Sequence, residues 1–255
     1  MPKNLGIIVP YRDRAQHLQA FLPHLAAYFS RSAPDVGGDV FVQIVEQESG
    51  LDFNRGLMKN IGYALCKDKC DYVCFHDVDY LPIWADYSEP TGIVPIVWYG
   101  AESIIDTRGY KIDHNFANFF GGAVLFAKAD FEKVNGYANA YWGWGFEDTD
   151  IVKRCLVEGV PMARRKGTFQ SLPHVNQGYD FSKKPSEAHL RNQKLFAERF
   201  PSAVKEPESF RQTWMKDRDG LSTLEYSILQ RKMLPSVLTE SRMLAVEMVL
   251  VSVSR

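Results

Sequence analysis

Two short runs of this sequence combine residue types that do chemistry together. Asp77-Val78-Asp79 follows the apolar run Tyr72 to Phe75, and two carboxylates at alternate positions beyond a strand end can face one hard divalent cation. Mg²⁺ or Mn²⁺ held there would neutralise a diphosphate. Asp148 to Asp150 and Asp217 to Asp219 repeat the spacing, so strand-end placement singles out the first pair; a solvated turn or a helix cap is its alternative reading. The second run is Trp142-Gly143-Trp144-Gly145-Phe146-Glu147-Asp148-Thr149-Asp150, which holds two of only five tryptophans. Indoles stack on the apolar faces of sugars while carboxylates accept from their hydroxyls, and the interleaved glycines permit a mobile loop. A core turn whose acids cap the next helix would use the same residues. A carboxylate beside a bound sugar can take the proton of an attacking hydroxyl, and Asp148 is the choice for that base. Arg12, Arg14 and Arg55 follow neighbouring strand runs. They could supply the forked donors that phosphate or uracil recognition uses, or merely pair with surface acids. His174 could complete a metal shell through a neutral ring nitrogen.

The elements that must position these groups follow from periodicity. Leu5 to Val9 is a short apolar run closed by Pro10, and Leu18, Phe21, Leu22 and Leu25 then recur at helical spacing. Val40 to Val45 reads as a second strand, Asn54 to Leu65 as a helix with Leu57, Ile61, Ala64 and Leu65 inward, and Tyr72 to Phe75 as a third strand. The order βαβαβ predicts a parallel sheet with right-handed crossovers, whose ligands sit at the carboxyl ends of the strands. Beyond Pro82 the pattern is irregular. Ala123 to Ala127 resumes a strand, Asp130 to Val134 a short helix, Ile151 to Val157 and Ser186 to Phe200 further helices, Phe169 to Leu172 a strand-like run and Met243 to Val253 a closing strand.

Composition sets the class. The chain has 255 residues, 45% hydrophobic and 24% charged, with 30 Lys+Arg against 31 Asp+Glu, which suits one globular domain and disfavours a nucleic-acid or polybasic membrane role. No apolar stretch reaches the roughly 18 residues of a spanning helix. Cys66, Cys70, Cys74 and Cys155 are too few for a disulfide framework and read as buried free thiols of a reducing compartment.

Taken together, Pro10-Tyr-Arg-Asp-Arg14, Phe53-Asn-Arg55, Asp77-Val-Asp79, Phe120-Gly-Gly122, the run Trp142 to Asp148, His174 and Asp219-Gly-Leu-Ser-Thr-Leu-Glu-Tyr226 resemble in order and spacing the β-1,4-galactosyltransferases of glycosyltransferase family 7. The resemblance implies an α/β fold of GT-A type, a Rossmann-like mixed sheet flanked by helices, with 1–255 as a single catalytic domain. It implies a UDP-sugar donor, Mn²⁺ with Mg²⁺ as substitute, and inversion at the anomeric carbon. By the same resemblance Pro10, Tyr11, Arg12, Arg14, Phe53 and Arg55 line the uridine diphosphate, and Asp79 and His174 bind the metal. Asp77, Val78, Phe119 and Gly122 lie on the donor side. Trp144 closes over donor and acceptor, Glu147 holds a sugar, and Asp148 is the base. The implied activity moves galactose from UDP-galactose onto a hydroxyl of a glycan or glycolipid acceptor in β-1,4 linkage. Use of UDP-N-acetylgalactosamine or another UDP-sugar is the alternative, and a non-catalytic carbohydrate- or nucleotide-binding module a further one; the latter needs no base beside a metal site.

The chain departs from the family at several positions. Phe119 stands where animal members have a tyrosine, which leaves galactose versus N-acetylgalactosamine open, and Thr149 replaces a third consecutive acid. The Arg-Phe pair of the GlcNAc-acting members has no counterpart around Pro185 to Leu190. Ser171 stands three residues before His174 in place of a methionine, and Asn176 occupies the outer position of a His-x-His variant. Cys74 matches a disulfide-bonded cysteine whose partner is missing. With no anchor or stem, these departures lead to the expectation of a cytoplasmic, bacterial enzyme of surface-polysaccharide or lipooligosaccharide assembly, peripheral at the membrane at most.

Overall fold

Strand β1 (Leu5–Tyr11) is buried along its whole length, as a central parallel strand must be, and its two faces feed different cores. Leu5, Ile7, Val9 and Tyr11 join a cluster with Phe21, Leu25, Tyr28 and Phe29 of helix α1 (Ala15–Arg31). Ile8 points the other way, into a cluster with Tyr63 of helix α2 (Arg55–Cys66). There α2 approaches so closely that a Cβ on Gly62 would fall 2.3 Å from Ile8 Cγ2, so the position admits only glycine. β1 pairs in parallel with both β2 (Val40–Gln47) and β3 (Tyr72–His76). The strand order therefore reverses at β1, and the crevice beyond the carboxyl ends of β1 and β3 is where such a sheet takes its ligand. The ladder between those strands stops at Ile8↔Phe75, and Pro10, with no N–H to offer, stands beyond it.

This computed structural model describes residues 2–31, 36–97, 104–106, 120–173, 185–201, 209, 219–238 and 243–255. The central sheet becomes antiparallel at both edges: β7 (Ala123–Ala127) pairs with β3 and with β5 (Ile93–Pro95), while β10 (Met243–Ser252) runs parallel to β2 and antiparallel to β9 (Ser227–Leu238). Its order is β5-β7-β3-β1-β2-β10-β9. A second sheet sets β8 (Gly167–Ser171) between β4 (Tyr80–Ala85) and β6 (Ile104–Asp106). Helices α3 (Lys128–Lys133), α4 (Glu147–Val157) and α5 (Glu187–Arg199) cover the remainder. Among the described residues no helix is long and apolar enough to cross a membrane, and all four cysteines are free and buried.

The βαβαβ opening and the mixed α/β class are as expected, and four readings are corrected. The stretch read as irregular holds β4, which runs across Pro82 with no in-and-out alternation of burial, and β5, three residues ending on Pro95. β9 went unread because it is an edge strand whose Ile228, Leu229 and Met233 are exposed, so burial imposes no pattern on it. The helix expected from Ile151 begins at Glu147; its first turn is acidic, and apolar periodicity starts one turn late. On α2, Ala64 and Leu65 are only half-buried, whereas Met58 and Tyr63 are core.

Candidate active site

Three segments far apart in sequence meet on one guanidinium. Arg55 is the first residue of α2, whose start is held by Asn54: its side-chain oxygen accepts from the Leu57 N–H, its own N–H donates to Gln47 Oε1, and its amide donates to the Asn139 carbonyl. From there Arg55 Nε and Nη2 donate to Asp77 Oδ1 and Oδ2 at 3.0 and 2.8 Å. Nη1 donates to Glu147 Oε1 at 2.6 Å and Asp148 Oδ2 at 2.8 Å. The strand-tip acid and the tryptophan-flanked acids thus share one cation. One helical turn on, Lys59 Nζ donates to Asp148 Oδ1 at 3.0 Å and lies 4.2 Å from the centroid of the Tyr137 ring. Burial alone would raise the Asp148 carboxyl; Arg55 and Lys59 outweigh it and hold the group below its ordinary value. Burial, followed by the Arg55 charge, pushes the Lys59 ammonium below the ordinary lysine range, with Asp148 opposing.

Loop geometry explains why the acids point here. Gly143, Gly145 and Phe146 all have left-handed φ, +81°, +100° and +76°, which turns the chain sharply into α4 and leaves Glu147 and Asp148 in the first turn, where the helix dipole favours negative charge. The Gly143 N–H donates to the Phe53 carbonyl at 2.9 Å. From α5, the buried Asn192 amide donates to the carbonyls of Trp142, Trp144 and Gly145 at 3.2, 3.4 and 3.1 Å. The two indoles part company: Trp142 is buried, with the Arg255 guanidinium 5.3 Å from its ring, whereas Trp144 is 45% exposed and stacks on His189 at 5.2 Å. Asp150, of the same acidic run, is fully buried and accepts from Tyr141 Oη, Arg154 Nε and Arg199 Nη1 at 2.9, 2.6 and 3.4 Å. It belongs to the scaffold.

The remaining expected residues lie around this cluster. Pro10 and Tyr11 are buried at the end of β1, and burial, with the Glu46 charge next, raises the Tyr11 hydroxyl. Arg12 donates to the Leu51 carbonyl at 2.7 Å and lies 5.2 Å over the Phe53 ring, so these two expected residues do meet. Arg14 is half-buried just before α1. Gly122 (φ +76°) accepts the Asp77 N–H at 2.7 Å. Val78 packs in the α1-side core, and Asp77 and Asp79 are the partly exposed members of the triplet. Asp77 is committed to Arg55. Asp79 supplies one hard oxygen donor of the kind Mn²⁺ or Mg²⁺ prefers, and its carbonyl accepts the Leu172 N–H at 2.7 Å as β8 leaves its ladder with β4. Among the described residues no group of three or more His, Cys, Asp and Glu could hold a metal; His174 and Phe119 lie outside the described residues.

Sequence reading missed Lys59, Asn192 and His76. The signal for Lys59 was available, since it lies four residues after Arg55 on an otherwise apolar helix face. Nothing local marks Asn192. His76, directly behind Asp77, is fully buried; its Nδ1–H donates to the Asp77 carbonyl at 2.9 Å and Nε2 lies 3.0 Å from Tyr87 Oη. Burial holds its pKa down to about 4.

Residues 2–87 match the N-terminal region of glycosyl transferase group 7, and residues 103–178 match the N-terminal domain of galactosyltransferase. β-1,4-Galactosyltransferase 7 of Drosophila melanogaster is 31% identical over 183 residues, covering 69% of this chain. β-1,4-Galactosyltransferase 4 of Mus musculus is 29% identical over 237 residues, covering 89%. The chain spans 53% and 59% of those proteins' own lengths. The catalytic domain of the Drosophila enzyme in complex with xylobiose superimposes with a TM-score of 0.68 at 26% identity, covering 99% of this chain and 95% of that one. A mutant of the same enzyme in complex with manganese, UDP-Gal and xylobiose gives 0.67 at 25% identity with the same coverage.

Proposed function

We propose, on the premise that this chain belongs to the β-1,4-galactosyltransferase family of group 7 glycosyltransferases, that it is a metal-dependent inverting transferase moving a hexose from a UDP-sugar, UDP-galactose first, onto a hydroxyl of a glycan acceptor. The observation that carries the reading is the single Arg55 guanidinium bridging Asp77 at the β3 tip to Glu147 and Asp148 at the start of α4. That convergence supports a nucleotide site and a base facing one crevice. The relative solved with manganese, UDP-Gal and xylobiose supports both donor and acceptor class.

In this reading Asp148 takes the proton of the acceptor hydroxyl. The oxygen attacks the anomeric carbon from the face opposite the leaving group, the new C–O bond forms as the bond to UDP breaks, and the electron pair leaves with UDP. Asp148 suits the task because the two cations keep it ionised while each of its oxygens retains a further lone pair. Base catalysis contributes about 10²- to 10⁴-fold, with positioning and charge stabilisation supplying the remainder. Asp79 and His174 would hold the metal, which when bound neutralises the departing diphosphate. Phe53 and Arg12 offer a stacked aromatic and a cation to the nucleotide, Glu147 a hydrogen-bond acceptor to a sugar, and Trp144 an exposed indole that can cover it. A cytoplasmic location is likewise our proposal, supported by four buried free thiols.

The test is a panel of UDP-sugars and mono- and disaccharide acceptors with Mn²⁺, Mg²⁺ or chelator, read as UDP release and product mass. Transfer from UDP-galactose that chelation removes is expected. No release from any donor, or release indifferent to chelation, sinks the reading. Asp148→Asn should lose transfer at least about 10²-fold while calorimetry still detects UDP-sugar binding.

A further inference from the structure

Lys59 plays no part in the family motifs quoted above, yet its side chain is only 1% exposed and it sits at the heart of the cluster. A lysine is almost never fully buried without a partner, and a buried charge is tolerated only when paired. Its carboxylate partner is Asp148. The geometry is complementary: Lys59 Nζ takes Oδ1 at 3.0 Å while Arg55 Nη1 takes Oδ2 at 2.8 Å. The Tyr137 ring covers the ammonium 4.2 Å away. Arg55 and Lys59 are one turn apart on α2, whose Leu57, Met58 and Ile61 are packed in the core, so both cations are presented from a rigid rod. The groups facing Asp148 are accordingly Arg55 and Lys59 from α2, Asp77 from beyond β3, Tyr137 from the segment before α4, and Glu147 on its own helix. Arg55 alone would have to serve three carboxylates; Lys59 is the second cation, and among the described residues its ion pair is with the proposed base.

Resting on the reading of Asp148 as the base, we propose that Lys59 is a positioning residue, whose ammonium pins one oxygen of the Asp148 carboxylate and keeps that group charged and aimed at the acceptor hydroxyl. Arg55 cannot do this alone, because two of its nitrogens are engaged by Asp77 and the third, Nη1, divides its two N–H groups between Glu147 and Asp148. A carboxylic acid formed between two cations is also disfavoured, so the captured proton is released readily when product leaves.

The test is Lys59→Met, which keeps length and fills the apolar site. It should lower kcat by about 10- to 100-fold, with the KM for UDP-galactose within about threefold and the low-pH arm of kcat moved upward, as Asp148 loses a cation that holds its carboxyl down. The melting temperature should fall, because Met packs in place of the lysine stem but Asp148 loses one of its two cations. Unchanged kcat, or a kcat loss accompanied by an equal rise in KM and an unmoved pH arm, overturns the proposal. Melting of Asp148→Asn with and without Lys59→Met decides independently of turnover. The double variant melting above Asp148→Asn supports the pairing, because it removes a stranded ammonium; additive losses overturn it. The same comparison serves if Lys59→Met does not fold alone. A parent protein that transfers nothing sinks the proposed function by itself, and the melting comparison still tells whether Lys59 holds Asp148.

Discussion

Arg55 shows how one side chain can carry several roles. As a sequence residue it reads as a phosphate donor after a strand; in the fold its forked geometry matches Asp77 on one side and Glu147 with Asp148 on the other, which a lysine could not do. Removing it takes this cation from Asp77 and Glu147 and leaves Asp148 with Lys59 alone. Arg55→Ala should therefore destabilise the protein by about 2–3 kcal/mol in urea unfolding, less than for a fully dry pair because about a fifth of these side chains is wet. Arg55→Lys should recover less than half of that loss. A loss within about 0.5 kcal/mol would mean that the carboxylates are solvated rather than clasped. The same residue scale separates Asp148 from Asp150, two acids two positions apart: the first faces the crevice between two cations, the second is sealed among Tyr141, Arg154 and Arg199. Residue type could not tell them apart, because burial and not chemistry assigns the roles.

At the scale of elements, the turn from Trp142 into α4 is the part under strain. Gly145 has φ +100° and a Cβ there would meet His189 Nδ1 at 3.1 Å, so Gly145→Ala should cost about 1–2 kcal/mol. Phe146 holds its left-handed φ with its ring packed on His189 and Phe196 of α5. Helix α5 thus works as a brace, and Asn192 is its pin. Asn192→Leu takes the donor from three carbonyls; we expect a loss of about 1–3 kcal/mol in thermal unfolding and a several-fold higher acceptor KM. An unchanged KM in a folded Asn192→Leu protein would show that the loop does not depend on α5. The strands β1 to β3 and helices α1 and α2 were legible because their apolar periods are long and clean. β9 and the acidic first turn of α4 were not, since the exposed edge carries no core pattern and the turn is buried through polar groups, Glu147 and Asp150, that leave no apolar period.

For the molecule as a whole, His76 links the site to stability. It is fully buried, with its neutral ring hydrogen-bonded to the Asp77 carbonyl and lying 3.0 Å from Tyr87 Oη. In the unfolded chain it takes up a proton near pH 6.5, in the fold only near 4. The unfolded state therefore binds more protons between those values, and stability falls as pH drops through that window, by up to about 3 kcal/mol once pH 4 is reached. Denaturant unfolding at pH 7 and pH 4.5 should show this loss, and His76→Asn should flatten the slope; an equal slope in the variant would assign the acid sensitivity elsewhere.

Residue order alone determined which chemical groups are available and what kind of sheet carries them. Hydrophobic period, strand-end placement and the glycine-flanked indoles are local properties, written within a few positions of each other. Which acid meets which cation was decided only in three dimensions. Arg55 and Lys59 reach Asp148 across some ninety residues because α2, packed on the central strands β1 and β2, also meets α4. Such pairings depend on distance, burial and the loss of water, none of which chain order encodes.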